Sequence, residues 1–261
     1  MLKSLTTAAT GMDAQQQNLD VISNNLANVN TTAFKASRAQ FEDLLYQNIR
    51  APGLQAADGT MRPSGVQIGS GTQLVSVEKS FEEGPIKVTN KETDLAISGK
   101  GFFRLQMPDG SVSYTRDGTF RRGADGRIVT AEGLPIIPEI VVPPNTLNFT
   151  VGLDGTVSAK VQGEVESRNL GQIQLAHFIN PAGLNALGRN LFQETPASGQ
   201  PIVSVPGENG SGNIQQGQLE SSNVNIVESM VQMIMGQRAY ELNSKVIKTA
   251  DDMMASTNQM K

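Results

Sequence analysis

Residues 219–254 read LESSNVNIVESMVQMIMGQRAYELNSKVIKTADDMM, and within them Leu219, Ile226, Met233, Tyr240, Ile247 and Met254 recur at a strict interval of seven. Seven is the repeat of a helix that keeps one edge against a partner helix. Three residues further on in each heptad stand Ser222, Ser229, Gly236, Asn243, Ala250 and Thr257, all small or polar. At about 1.5 Å per residue the pattern predicts a helix of about 50 Å from Leu219 to Met254. An apolar stripe this narrow cannot bury itself, so the helix needs a partner. Gly236 in mid-helix costs roughly 1 kcal/mol relative to Ala, and close backbone packing is the simplest reason to keep it. A bundle helix inside one ordinary globular domain fits the same pattern.

The N-terminus carries a matching seam. Leu5, Met12, Leu19 and Leu26 are seven apart, with Ala8, Gln15, Ile22 and Val29 three further on, and only Gln15 interrupts. Two ends with the same repeat can pair with each other.

The middle has a different period. Short β-type runs recur at Gln73–Val77, Leu95–Ser98, Phe102–Gln106, Val112–Thr115, Ile128–Thr130, Ile140–Val142, Phe149–Val151, Val157–Ala159 and Ile173–Phe178. Between them lie Asp109-Gly110, Asp117-Gly118, Asp125-Gly126 and Asp154-Gly155, dipeptides that supply the positive φ angles of tight hairpin turns. The fold class expected is α+β. The N- and C-terminal helices pair as a coiled-coil-like core domain around a central antiparallel all-β domain, a sandwich or flattened barrel. The boundaries expected are 1–35 for the N-terminal helix, 36–72 for an insert, 73–215 for the β domain and 216–261 for the C-terminal helix. The insert contains Tyr46, Pro52, Gly53, Pro63 and Gly65 without a strong period. A segment of that length without structure of its own is functional or disordered. A second Pro- and Gly-rich tract, 196–217, is read as a loose return to the C-terminal helix.

Composition excludes several classes. Cys is absent from the 261 residues, which removes disulfides, thiolate metal sites and Cys nucleophiles. The formal net charge of −4 gives no electrostatic reason to bind nucleic acid. No apolar run reaches the roughly 18–20 residues of a membrane span, and the first residues lack the apolar core of a secretory signal. The one histidine, His177, shares a strand face with Ile173 and Leu175 and reads as structural. Ser98-Gly99-Lys100-Gly101 resembles the end of a phosphate loop but lacks its Ser/Thr and its first Gly. The Asp-Gly turns lack the alternating ligands and distal Glu of a calcium loop. No nucleophile–base pair emerges, no cofactor or metal is expected, and no enzyme is expected.

The stretch Ile22-Ser23-Asn24-Asn25-Leu26-Ala27-Asn28-Val29-Asn30-Thr31-Thr32-Ala33-Phe34-Lys35 resembles the N-terminal signature of flagellar rod and hook proteins. So does Ser222-Asn223-Val224-Asn225-Ile226-Val227-Glu228, followed by Met233-Ile234 and Gln237-Arg238-Ala239-Tyr240-Glu241. Phe41-Glu42-Asp43-Leu44-Leu45-Tyr46-Gln47 with the insert after it, Gly101-Phe102-Phe103, and Tyr114-Thr115-Arg116-Asp117-Gly118 place the resemblance on its rod side. The resemblance implies a structural subunit that polymerises helically into the rigid distal rod, the drive shaft that transmits torque to the hook. It further implies terminal helices lining an inner core, and an insert that stiffens contacts between neighbours. The implied partners are copies of itself, proximal rod and hook subunits, the bushing rings around the rod, the rod cap and the flagellar export apparatus. Nucleic acid and membrane insertion are not implied. The implied location is the periplasmic rod of the basal body, reached without a cleaved signal peptide. A proximal rod or hook subunit is the nearest alternative; a secreted binding module or adhesin is one of another class. The family usually has Gly where this chain has Ala33, and Ala resists positive φ by roughly 1–2 kcal/mol, so the turn after the first helix is expected to differ.

Asn24, Asn25, Asn28 and Asn30 are poor helix formers whose amides need partners when buried. Asn24 and Asn25 are expected to bond between subunits, and Asn30 to cap the helix. The residues expected to carry polymerisation are Leu5, Met12, Leu19, Ile22, Asn24, Asn25, Leu26, Leu219, Ile226, Met233, Tyr240, Ile247 and Met254. The terminal segments are expected to order only on assembly.

Overall fold

The computed structural model describes residues 2–50, 65–163 and 166–259, and divides into two units. The helical unit holds α1, Leu2–Ala27, and α2, Ile226–Gln259. α2 begins where Asn225 Oδ1 accepts the backbone N–H groups of Val227 at 3.1 Å and Glu228 at 3.3 Å. This is an N-cap, with the Glu228 carboxylate in the first turn where the helix dipole favours it. Leu219, expected on this helix, instead lies on the strand Gln218–Glu220, paired antiparallel with Ile86–Val88. The heptad thus overran the true start by one repeat, because an Asn with a free side-chain acceptor is a stronger signal than one more apolar residue in register.

Two ribbons complete the helical unit. Ser37–Asp43 pairs with Thr72–Lys79, and Gln47–Arg50 pairs antiparallel with Val66–Ile68 through a bulge. The expected insert at 36–72 therefore contains strands. Of its named residues, Pro52, Gly53 and Pro63 lie outside the described residues, while Gly65 directly precedes Val66–Ile68. The strand over 73–77 belongs to this unit rather than to the β domain.

The β unit comprises 28–36 and 79–224. Its largest sheet runs Asn185–Gly188, Leu191–Gln193, Val112–Thr115, Phe102–Gln106, Leu175–His177, Ile202–Ser204, with Ile136–Ile137 also on Phe102–Gln106. A three-stranded sheet, Thr146–Val151, Thr156–Val161 and Arg168–Gln172, packs its Phe149, Val151 and Val157 into the same core as Phe103, Leu105, Phe120, Ile140 and Leu175. A second cluster gathers Phe81, Phe102, Phe178, Phe192 and Tyr114 in edge-to-face pairs, the ring geometry that aromatic quadrupoles favour.

Three readings of the middle need correction. The tract 196–217 is not loose: it supplies Ile202–Ser204 and Asn213–Gln216, the latter paired with Leu95–Ser98. Its Gly and Pro residues flank the strands rather than replace them. The run 140–142 makes only an isolated bridge, Val141 to Arg127, with Ile140 and Val142 buried on either side. Asp117-Gly118 does not form a hairpin tip. A side chain at Gly118 would begin 1.5 Å from the Leu95 carbonyl oxygen, so this glycine serves a close backbone approach.

Candidate functional site

α1 and α2 meet along their small residues. Leu19 Cδ2 lies 3.0 Å from the point where a side chain at Gly236 would begin, and Asn243 Nδ2 lies 3.0 Å from the corresponding point on Gly11. Advancing from Gly11 to Leu19 retreats from Asn243 to Gly236, so the helices run antiparallel. Ser229, Gly236 and Ala250 are buried on α2, and Ala8, Ala14, Ile22 and Asn25 on α1. The larger seam residues Leu5, Met12, Leu19, Leu26, Met233, Ile247 and Met254 are half-buried, while Ile226 and Tyr240 remain exposed.

α2 has a second apolar face that the heptad reading missed. At about 100° per residue, Val227, Val231, Met235 and Leu242 fall on the side away from Ser229 and Gly236, and Val246 and Met253 continue the stripe along the edge beside Ala250. All six are exposed, Met235 at 67% and Leu242 at 64%. A stripe of this length left in water is the mark of an interaction surface. The sequence signal was present as a second set of apolar residues at three- and four-residue spacing, interrupted by Arg238 and Thr249.

The asparagines divide. Asn25, buried, spends its amide inside the subunit: Nδ2 donates to the Ser37 carbonyl at 2.7 Å and Oδ1 accepts the Ser37 N–H at 2.8 Å. The expected inter-subunit role for Asn25 therefore gives way to an internal one. Asn24 and Asn30 are exposed. The turn beyond α1 is closed at Asn28, whose carbonyl accepts the Thr31 N–H at 3.1 Å and whose Oδ1 accepts the Thr31 hydroxyl. Ala33 does adopt the left-handed conformation, with φ of 56°, and is buried. Its N–H donates to the Glu220 carbonyl at 2.8 Å, which helps offset the strain.

Two residues beyond Ala33 the β unit holds a charged cluster that sequence reasoning also missed. Lys35 Nζ donates to Glu220 Oε1 at 2.6 Å, and both side chains are 0% exposed. Arg116 Nε donates to Glu220 Oε2 at 2.9 Å, and its guanidinium also donates to the carbonyls of Gly99, Gly101 and Ile97. Gly84 N–H completes the shell of Glu220 Oε1 at 2.9 Å. Burial opposes ionisation of Glu220, yet Arg116, Lys35 and the Gly84 N–H outweigh it and hold the carboxyl below its ordinary value. Burial holds Lys35 below its ordinary value against the pull of Glu220. No local pattern links positions 35, 116 and 220; only the fold brings them together.

In the insert ribbon, Tyr46 is 55% exposed and its ring lies 3.4 Å from where a side chain on Gly69 would begin. Lys3 Nζ donates to Gln47 Oε1 at 3.1 Å and to the Ile68 carbonyl at 3.2 Å, tying α1 to the ribbon. His177 Nδ1 lies 3.3 Å from Ser211 Oγ, which also bonds Ser204. Among the described residues no group of three or more His, Cys, Asp or Glu is placed to hold a metal ion, and no helix is long and apolar enough to cross a membrane.

Long terminal helices with an uncovered apolar face, joined in one chain to a β unit, define a subunit class built for assembly rather than for turnover. Comparison with known proteins gives the family. Residues 5–35 match the family described as "Flagella basal body rod protein", 96–159 the "Flagellar hook protein FlgE/F/G D1 domain", and 215–260 the "Flagellar basal body rod FlgEFG protein C-terminal". The chain is 51% identical over 260 residues to the flagellar basal-body rod protein FlgG of Buchnera aphidicola subsp. Schizaphis graminum, covering all of both chains. It is 48% identical to the FlgG of Borreliella burgdorferi, over all of this chain and 99% of that one, and 37% identical to the FlgG of Bacillus subtilis over the whole of both. The chain belongs to the flagellar basal-body rod protein family. It is a structural subunit of the flagellar basal-body rod and not an enzyme.

Proposed function

We propose that the chain polymerises helically with copies of itself into the rigid distal rod, the shaft that passes torque to the hook. The observation that carries this reading is the exposed apolar face of α2, from Val227 to Met253. Burying it against other copies removes it from water at about 25 cal/mol per Å². The α1–α2 pair then acts as a coiled-coil-like core element, with Leu5, Met12, Leu19, Ile22, Leu26, Ile226, Met233, Tyr240, Ile247 and Met254 along or beside its seam. Leu219 acts from the adjoining strand, and Asn24 supplies a polar contact between subunits.

The insert, from Tyr46 through Pro52, Gly53, Pro63 and Gly65, is assigned the stiffening role. A two-stranded ribbon is marginal alone, and Ile49, Val66 and Ile68 of this one are exposed, so neighbours that cover it gain a rigid joint. Proximal rod and hook subunits, the surrounding rings, the rod cap and the flagellar export apparatus are the further partners. The location is the periplasmic part of the basal body. The test is electron microscopy of the concentrated protein. Straight tubes are expected, and deletion of residues 46–66 should leave tubes that bend. A protein that stays monomeric at every concentration would overturn the reading.

A further inference from the structure

Residues 33–36, just after α1 in the chain, and residues 218–223, just before α2, are bound to each other and to the β unit by the same few groups. Each segment brings one buried charge, and the charges lie 185 residues apart in the chain. Glu220 is fully buried and accepts from Lys35, Arg116 and Gly84. Lys35 is fully buried and donates to Glu220 and to the Glu82 carbonyl. Backbone bonds run alongside: Ala33 N–H to the Glu220 carbonyl, and Ala36 N–H to Asn223 Oδ1 at 2.8 Å. The Asn223 amide donates in turn to the carbonyls of Ser80 and Glu82.

We propose that Lys35, Arg116 and Glu220 form a latch that makes docking of the segments 31–36 and 218–223 onto the β unit one cooperative event. A buried charge without its partner is costly. With 218–223 lifted away, Lys35 would stay beside Arg116 with no carboxylate between them, and burying two like charges is strongly unfavourable. With 31–36 lifted away, Glu220 would lose its shortest ionic contact and Ala33 its acceptor. Each segment is less stable in place without the other, 31–36 the more so, because Lys35 loses its one carboxylate whereas Glu220 keeps Arg116 and the Gly84 N–H. The latch belongs to the single subunit and stands whether or not the chain polymerises.

The test is amide hydrogen exchange, read by mass spectrometry, on the dilute full-length chain. Lys35→Met is expected to speed exchange at least tenfold over residues 218–223, which it does not alter. Glu220→Gln is expected to do the same over 31–36. The strand Phe102–Gln106 should keep its protection in both. In Lys35→Met/Glu220→Gln the exchange should increase by less than the two single effects combined, because Lys35 and Glu220 no longer face each other's absence and Arg116 alone is left without its carboxylate. Changes confined to the substituted segment, or a strictly additive double variant, would overturn the latch. Should a charge-deleting variant fail to fold, Glu220→Asp decides instead, since it keeps the charge and shortens its reach. Faster exchange over 31–36 supports the latch, and unchanged exchange there refutes it.

Discussion

Leu19 on α1 and Gly236 on α2 meet so closely that a methyl group on Gly236 would stand 3.0 Å from Leu19 Cδ2. The neighbour is the far end of a side chain, so alanine is tolerated: the gain in helix propensity, about 1 kcal/mol, is set against a small displacement of Leu19. A branched residue has no such room. Gly236→Val is expected to lower stability by about 1–3 kcal/mol, the cost of overpacking a tight contact. Urea unfolding monitored by far-ultraviolet circular dichroism reads the difference, and Gly236→Val as stable as the parent would show that close approach is not why glycine stands there.

The two faces of α2 separate folding from assembly. Leu242→Asp places a charge on the exposed face, where it disturbs nothing within the subunit. It should leave the monomer's circular dichroism spectrum unchanged while abolishing tubes in electron micrographs, because the charge would be buried without a partner at the contact between copies. Leu19→Asp, by contrast, should cost the helix pair its own stability. Normal polymers from Leu242→Asp would remove this face from the assembly surface.

Asn25 holds both backbone groups of Ser37. Asn25→Ala removes both hydrogen bonds to the half-buried Ser37 backbone, a loss of about 1–3 kcal/mol. The expected outcome is a destabilised monomer, seen in chemical denaturation at dilution. A monomer of unchanged stability that fails only to polymerise would return Asn25 to the subunit boundary.

Glu220 makes the β unit acid-sensitive in a definite direction. Its carboxyl is held below the ordinary value of 4.5 in the folded state, so the unfolded chain takes up its proton first as pH falls. Its stabilising contribution is whole above pH 4.5 and is lost as pH drops through the folded value. Lys35, held below 10.5, has the same sign in a more alkaline window: between its folded value and 10.5 the unfolded chain binds the proton more tightly, and stability from this group rises with pH. Urea midpoints measured between pH 7 and pH 3 should therefore fall more steeply for the parent than for Glu220→Gln. Parallel curves would show that Glu220 does not carry the effect.

Much of the fold was legible because the signals were periodic and local. The heptads at Leu5–Leu26 and Ile226–Met254 gave both helices, and Asp109-Gly110 and Asp154-Gly155 marked hairpins whose Gly residues do take positive φ. Leu219 misled because a seven-residue interval runs through a strand as readily as through a helix, whereas the Asn225 cap marks a true helix start. The ion cluster was not legible. Lys35 and Arg116 were visible as letters in motifs, but charges separated by 81 and 104 residues, 35 to 116 and 116 to 220, come together only through strand pairing. The outer face of α2 escaped for another reason: one strong period drew attention from a weaker one on the same helix.

Ala33 is held in a conformation that a residue with a side chain resists, and what holds it is the carbonyl of Glu220 on a distant stretch of the chain. The bend after α1 is therefore a sprung hinge. Once the stretch that clasps it withdraws, the Ala33 N–H loses its acceptor and nothing from that carbonyl opposes a return to an ordinary φ.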